Sequence, residues 1–148
     1  MKSRLKSLIF LAILFILATS GIPPKKNPIY GTWKIISGKH NKTDAHKALM
    51  DWTQTFTFEN TFQTLVKTPE GKEVIGNLGI FYLLNDTTMV TYHKDHSGKL
   101  DNVANTYTFN ILNDSMHFHG FYLGQTPANP AVLNKIFIDE WWVRCVKN

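Results

Sequence analysis

Histidine is the residue type in this 148-residue chain whose spacing suggests chemistry, since six histidines occur and two of them alternate. His117 and His119 lie in a predicted β-strand, so both rings project from one face with Cα atoms about 7 Å apart. Two such imidazoles can bind one metal ion, and His93 on a nearby strand is a candidate third ligand. Zinc and copper sites use three or four ligands, and the pair alone supplies two. Three interpretations therefore stay open: a metal site, polar groups in a pocket, or an exposed, solvated pair.

No other arrangement of residues in the sequence is typical of a catalytic site. The chain has no G-x-S-x-G elbow and no phosphate-binding glycine loop, and Ser97 lies in a predicted turn. Asp139 and Glu140 are adjacent in a predicted strand, so their carboxylates point to opposite faces. The single cysteine, Cys145, excludes an intramolecular disulfide and multi-cysteine metal sites. The sequence therefore predicts a protein that is not an enzyme and needs no cofactor.

The first 20 residues predict a signal peptide. Three basic residues precede the eleven uncharged residues Leu8–Ala18, a run that suits a secretory signal and is shorter than the roughly 20 residues of a membrane span. We expect cleavage after Ser20; an uncleaved anchor is the alternative. Because the only cysteine is Cys145, no lipoprotein cysteine follows the apolar run. We therefore expect a periplasmic or extracellular protein that is not a lipoprotein, with a leader over residues 21–28 and one domain over residues 29–148.

Composition and charge narrow the class of protein further. The chain is 43% hydrophobic, 13% aromatic and 18% charged, which predicts one folded domain rather than a disordered chain. Three of the 16 Lys and Arg residues lie in the predicted signal peptide and all 11 Asp and Glu residues follow it, which leaves a net charge of +2 after cleavage. Nucleic-acid binding requires a dense basic face. The mature chain shows none, so we expect no nucleic-acid partner.

Runs rich in aromatic and β-branched residues, separated by turn signals, predict eight strands. The predicted strands are 30–37, 55–59, 61–67, 74–84, 88–93, 103–111, 116–123 and 137–146. After the first strand, residues at helical spacing predict one short helix: Ala45, Ala48, Leu49 and Trp52. Gly76 and Gly79 predict a bulge or bend in the fourth strand. Eight strands with mostly hairpin-length links predict an all-β, antiparallel, closed barrel.

Motifs at both ends of the predicted barrel resemble those of a known family. Gly31-Thr32-Trp33 looks like the G-x-W signature that opens the first strand of lipocalins, and Glu140-x-Trp142-x-Arg144 lies in the last strand. Over residues 29–147 the chain is similar to small exported lipocalin-like domains of bacteria, whose function is unassigned. The resemblance implies a calycin-type barrel in which Arg144 packs across Trp33 at the closed end. It implies structural roles there for Gly31, Glu140 and Trp142, whereas the predicted helix departs from the usual lipocalin order.

Six aromatic residues share the phase expected to face the barrel interior: Phe56, Phe58, Phe62, Phe81, Tyr107 and Phe109. They either fill the barrel as a core or line a cavity, with His117 and His119 as polar groups if their face points inward. We expect a non-catalytic protein that binds a small apolar or amphiphilic molecule in that cavity. The alternative is a filled barrel whose surface, including residues 125–131 and Trp141, binds a partner protein or glycan. A third possibility is a metal-binding or isomerase-type protein built on His117 and His119.

Overall fold

The protein folds into a closed antiparallel β-barrel. The computed structural model describes residues 27–41, 43–44, 51–95, 97–126 and 129–145. The strands are β1 (Gly31–His40), β2 (Thr43–Asp44), β3 (Trp52–Phe56), β4 (Thr61–Lys67), β5 (Glu73–Asn85), β6 (Thr88–His93), β7 (Asn105–Leu112), β8 (Ser115–Thr126) and β9 (Asn129–Arg144). Eight of them pair in sequence order and close through β1 and β9, while the two-residue β2 pairs with the end of β1. The predicted all-β, eight-stranded antiparallel barrel is confirmed.

The predicted signal peptide, most of the leader and most of the predicted helix lie outside the described residues. Of the four residues at helical spacing, only Trp52 is described. It begins β3 opposite Val66 of β4, so its place in a helix is wrong. In the part of the chain that the structure describes, no helix is long and apolar enough to cross a membrane.

The strand predicted over residues 55–59 ends early because a turn interrupts it. The amide of Asn60 donates to the carbonyl of Thr57 at 3.2 Å, and Asn60 has the left-handed φ of 57° that asparagine tolerates in turns. The turn carries Phe58 out of the barrel, where 60% of the side chain is exposed and its ring packs against Tyr30 at 4.6 Å. The prediction that Phe58 lines the interior is therefore wrong.

The last hairpin is longer than the sequence predicts. Residues 124–130 predict a loop, yet β8 continues to Thr126 and β9 begins at Asn129. The two strands pair along this extension, for example at Leu123 with Lys135 and at Gln125 with Leu133. The predicted surface loop is therefore mostly strand, because ladder hydrogen bonds outweigh the weak strand preference of its glycine and proline residues.

The predicted irregularity in the fourth long strand is present at Gly76. Thr64 of β4 pairs with Asn77 and Leu65 pairs with Ile75, so Gly76 is an extra residue in β5. A bulge of this kind bends the strand and increases its twist, which helps a sheet to close. Gly79 is required for a different reason, since a Cβ atom there would collide with a backbone carbonyl and with a neighbouring aromatic ring.

Trp33 and Arg144 close one end of the barrel. Trp33 is fully buried, and its indole Nε1 donates to the carbonyl of Ile29 at 2.7 Å. The guanidinium of Arg144 lies 4.2 Å over the indole ring, a favourable cation–π position. The same guanidinium donates to the carbonyl of Tyr30 at 2.9 Å. Gly31 has a φ of 127°, and a Cβ there would lie 3.0 Å from Arg144 Nη1, so this position of the G-x-W motif favours glycine.

The half of the barrel next to Trp33 is filled with side chains. The rings of Phe56 and Phe81 meet edge to face at 5.2 Å, a geometry that aromatic pairs prefer. Phe109 and the buried methionines of β6 and β8, Met89 and Met116, complete this core. Three of the six aromatic residues predicted to face inward therefore belong to a packed core.

Candidate functional site

The half of the barrel away from Trp33 contains a cavity of about 330 Å³. Its apolar and aromatic wall consists of Trp52, Phe62, Tyr107, Phe118, Tyr122, Ile136, Ile138 and Trp142. Its polar wall consists of His40, Gln54, Thr64, Asn77, Thr91, His93 and Glu140. The volume lies at the lower end of the roughly 300–1,000 Å³ typical of small-molecule pockets. The barrel is therefore solid at one end and hollow at the other.

His93 is a neutral polar group in the cavity wall. Its ring lies between Phe62 and Tyr122, with ring centroids at 5.2 and 5.3 Å. Neither ring nitrogen has a hydrogen-bond partner among the described residues. Burial lowers the pKa of His93 below its usual value, and the negative charge of Asp101 opposes this shift only partly. The neutral ring offers one N–H donor and one nitrogen acceptor.

The indole N–H of Trp52, another polar group of the wall, also lacks a partner within the described ranges, whereas the hydroxyl of Thr91 interacts with the side chain of Tyr107. Thr91 is only 2% exposed. A buried polar group without a hydrogen bond costs about 1–3 kcal/mol, so native proteins keep few of them. Trp52, Thr91 and His93 thus place polar side chains in the wall, but their polar atoms have almost no surface open to the cavity.

A buried carboxylate also faces the cavity. Glu140 of β9 is 5% exposed, and its Oε1 lies 2.8 Å from Nε2 of His40 at the end of β1. Its Oε2 accepts a hydrogen bond from the indole N–H of Trp142 at 3.1 Å. Burial raises the pKa of Tyr107, and the negative charge of Glu140 adds to this shift. The resemblance assigned Glu140 and Trp142 only to barrel closure, whereas both line the cavity.

The two alternating histidines lie on the outside of the barrel. Met116 and Phe118 of β8 are buried, so the alternation of the strand turns His117 and His119 outward. His117 Nε2 lies 2.6 Å from Asp139 Oδ1. The interpretation that the pair supplies polar groups to a pocket is therefore wrong, and Asp139 and Glu140 do point to opposite faces.

The three histidines considered as metal ligands do not come together either. His93 faces the interior, whereas His117 and His119 face outward, so the wall of the barrel separates them. The ring of His117 instead stacks on Trp141, at 4.4 Å and an angle of 8°. Among the described residues, no group of three His, Cys, Asp or Glu side chains is arranged to bind a metal ion.

Most residues of the polar wall were not predicted from the sequence, although their positions in the alternation of each strand indicate that they face inward. Thr64 lies two residues after Phe62, and Thr91 and His93 lie two and four residues after Met89. Each of these polar residues shares the inward phase of an apolar neighbour in its own strand. A search for polar residues in the inward phase would have found them.

We expect acid to destabilise the fold through His93. Its pKa is lower in the folded state than in the unfolded chain, so the unfolded chain binds the proton more readily. The free energy of unfolding should therefore decrease as the pH falls below about 6.5. The decrease should end once the pH lies below the pKa of His93 in the folded state. Urea titrations from about pH 7.5 to about pH 5 measure this decrease.

The variant His93→Gln should lose most of this decrease, because glutamine does not titrate in this range. The outward-facing His119→Gln serves as the matched control and should retain it. An unchanged pH dependence in His93→Gln would show that burial of His93 is not its cause.

Comparison of the chain with known protein families finds no family model that matches, and comparison with curated proteins finds no significant relative. What the barrel does is therefore inferred from its cavity and from the residues that line it.

Proposed function

We propose that this protein is an exported, lipocalin-like carrier that binds a small amphiphilic molecule in its barrel, without catalysis. One observation carries the proposal: a 330 Å³ cavity whose largely apolar and aromatic wall also contains buried polar residues, among them Thr64, Thr91 and Glu140. Ligand pockets commonly combine a mostly apolar wall with a few polar groups that orient the ligand. An amphiphilic ligand would cover the apolar part of the wall and place its polar group beside these polar residues.

The contrast between the two halves of the barrel supports this function. Large side chains such as Phe56, Phe81 and Phe109 fill the half near Trp33. In the other half, the buried inward positions of β4 and β6 include Thr64 and Thr91. Empty space reduces stability because the surrounding side chains lose packing contacts. A chain that packs one half tightly and leaves the other open is well suited to hold a ligand there.

The contact at the closed end supports the lipocalin-like family in this proposal, and the N-terminal sequence supports an exported protein. The contact between Trp33 and Arg144 has the form that the lipocalin resemblance implies. The run at Leu8–Ala18 is typical of a secretory signal. We propose that the protein acts in the periplasm or outside the cell after cleavage behind Ser20.

Native mass spectrometry of the mature protein, purified gently from its own host, tests the carrier function. We expect a small molecule to co-purify with the wild type. Thr91→Leu should lose it, because the larger apolar side chain fills part of the cavity and removes a polar group. Thr108→Leu is the matched control, since Thr108 of β7 is exposed on the outside of the barrel. A wild type that carries no small molecule and binds none from an extract of its host would contradict the proposal.

A surface-binding function is the second candidate, favoured by an aromatic strip on the outside of β8 and β9. Trp141 is 46% exposed and stacks on His117, while Phe121 and Phe137 pair at 5.2 Å. Exposed aromatic groups of this kind are common in protein- and glycan-binding surfaces. From the sequence, this alternative was expected to have a filled barrel, and the cavity contradicts that part of it. In the same mass spectra, a partner protein or glycan bound to a barrel without a small molecule would favour this function.

A further inference from the structure

We propose that the ligand of this cavity carries a protonated amine, and that Glu140 is the residue that selects it. This inference rests on the proposed carrier function and names the chemical class of the ligand. The juxtaposition that points to it is a buried carboxylate in a wall made largely of aromatic rings, with no basic side chain other than histidine among the described lining residues.

The charged groups of the cavity wall disfavour an anionic ligand. The described lining residues include neither lysine nor arginine. If His40 is neutral, the pair that it forms with Glu140 is negative, and if His40 is protonated, the pair is neutral overall. In neither state does the wall hold a net positive charge to receive a carboxylate or a phosphate. Burying an ion without an opposite charge is costly, so the wall disfavours an anionic ligand in both states and favours a cationic one in the state in which His40 is neutral.

The carboxylate of Glu140 can accept more hydrogen bonds than it receives from its neighbours. An ionised carboxylate has about four lone-pair positions. In Glu140, His40 and the indole of Trp142 occupy one position on each oxygen. Each oxygen therefore retains acceptor capacity on the cavity wall. A hydrogen bond from an ammonium group to a buried carboxylate is charge-assisted and about twice as strong as one between neutral groups.

The rest of the wall also suits an ammonium group. Such a group carries three N–H donors when it is primary. Besides Glu140, the wall contains the side-chain acceptor oxygens of Gln54, Thr64 and Asn77. The rings of Trp52 and Trp142 face the same cavity, and the faces of indole rings attract cations. An amine on a compact aromatic body matches both features.

Isothermal titration calorimetry with three probes of one skeleton tests the inference: 1-naphthylmethylamine, 1-naphthalenemethanol and 1-naphthoate. We expect wild-type protein to bind the amine about tenfold more tightly than the alcohol, and the carboxylate most weakly of the three. Glu140→Gln should reduce the preference for the amine to about twofold or less while leaving the affinity for the alcohol nearly unchanged. Glu59→Gln is the matched control, because it removes the same charge from the exposed turn after β3.

The ranking of the three probes on wild-type protein decides the inference even if Glu140→Gln does not fold, which circular dichroism will show. If the alcohol or the carboxylate binds as tightly as the amine, the inference is wrong while the carrier function stands. The same holds if folded Glu140→Gln keeps the tenfold preference for the amine. If none of the probes binds and no small molecule co-purifies with the wild type, both the inference and the carrier function are overturned.

Discussion

Replacing Trp33 by alanine is expected to lower the free energy of unfolding by about 3–5 kcal/mol. The indole is fully buried, fills the closed end of the barrel and donates its N–H to Ile29. Its removal leaves a cavity, an unpartnered carbonyl and the guanidinium of Arg144 without the ring below it. Equilibrium unfolding in urea, followed by far-ultraviolet circular dichroism, measures the change.

Trp141→Ala provides the control for that experiment. It removes the same side chain from an exposed position of β9, so we expect a loss of less than about 1 kcal/mol. If Trp33→Ala costs as little as Trp141→Ala, Trp33 does not plug the barrel.

Phe81→Ala should also cost about 3–5 kcal/mol, because a fully buried ring is removed from the filled half of the barrel. Phe56 loses the edge-to-face contact at 5.2 Å, and the surrounding strands cannot collapse into the space. Phe58→Ala is the matched comparison. Phe58 has the inward phase in the sequence but is exposed in the turn after β3, so its loss should cost less than about 1 kcal/mol. Both values come from the same urea unfolding measurement.

A loss for Phe58→Ala as large as that for a buried ring, about 3–5 kcal/mol, would mean that Phe58 points into the barrel, as alternation alone predicts. The difference between the two phenylalanine variants therefore tests whether the turn at Asn60 ends β3 as the structure describes. A large loss for Phe58→Ala together with a small loss for Phe81→Ala would contradict the assignment of the core.

The alternation of apolar and polar residues predicts most of the strands. It does not predict where every strand ends or which face of every strand points into the barrel. Runs such as Thr61–Lys67 and Thr88–His93 match the structure because their period-two pattern is bounded by turn residues. The pattern fails at Phe58, where one left-handed asparagine redirects the chain. In β8 the pattern gives no inward face, because His117 and His119 alternate with Met116 and Phe118, and a histidine is compatible with either environment.

The local sequence does not predict the cavity. Phe81 and Tyr107 both face inward, yet one is packed in the core and the other lines the cavity. Their depth along the barrel axis depends on the tilt of the strands and on the bulge at Gly76. The contact between His40 and Glu140 joins residues 100 positions apart, so no motif spacing reveals it. Conversely, Trp33 and Arg144 were recognisable because the resemblance pairs them.

The pairing of β1 with β9 has a consequence for how the barrel forms. These strands lie at opposite ends of the described domain, and their ladder joins Trp33 to Arg144 and His40 to Ile138. Until β9 has left the ribosome, β1 lacks one of its neighbours and the sheet has two open edges. Contacts so far apart in sequence require the chain to lose much loop entropy before they form, which slows folding to the millisecond-to-second range of barrels. The chain therefore stays without its closed barrel, and with its apolar inner face accessible, for longer than a helical domain of the same length would.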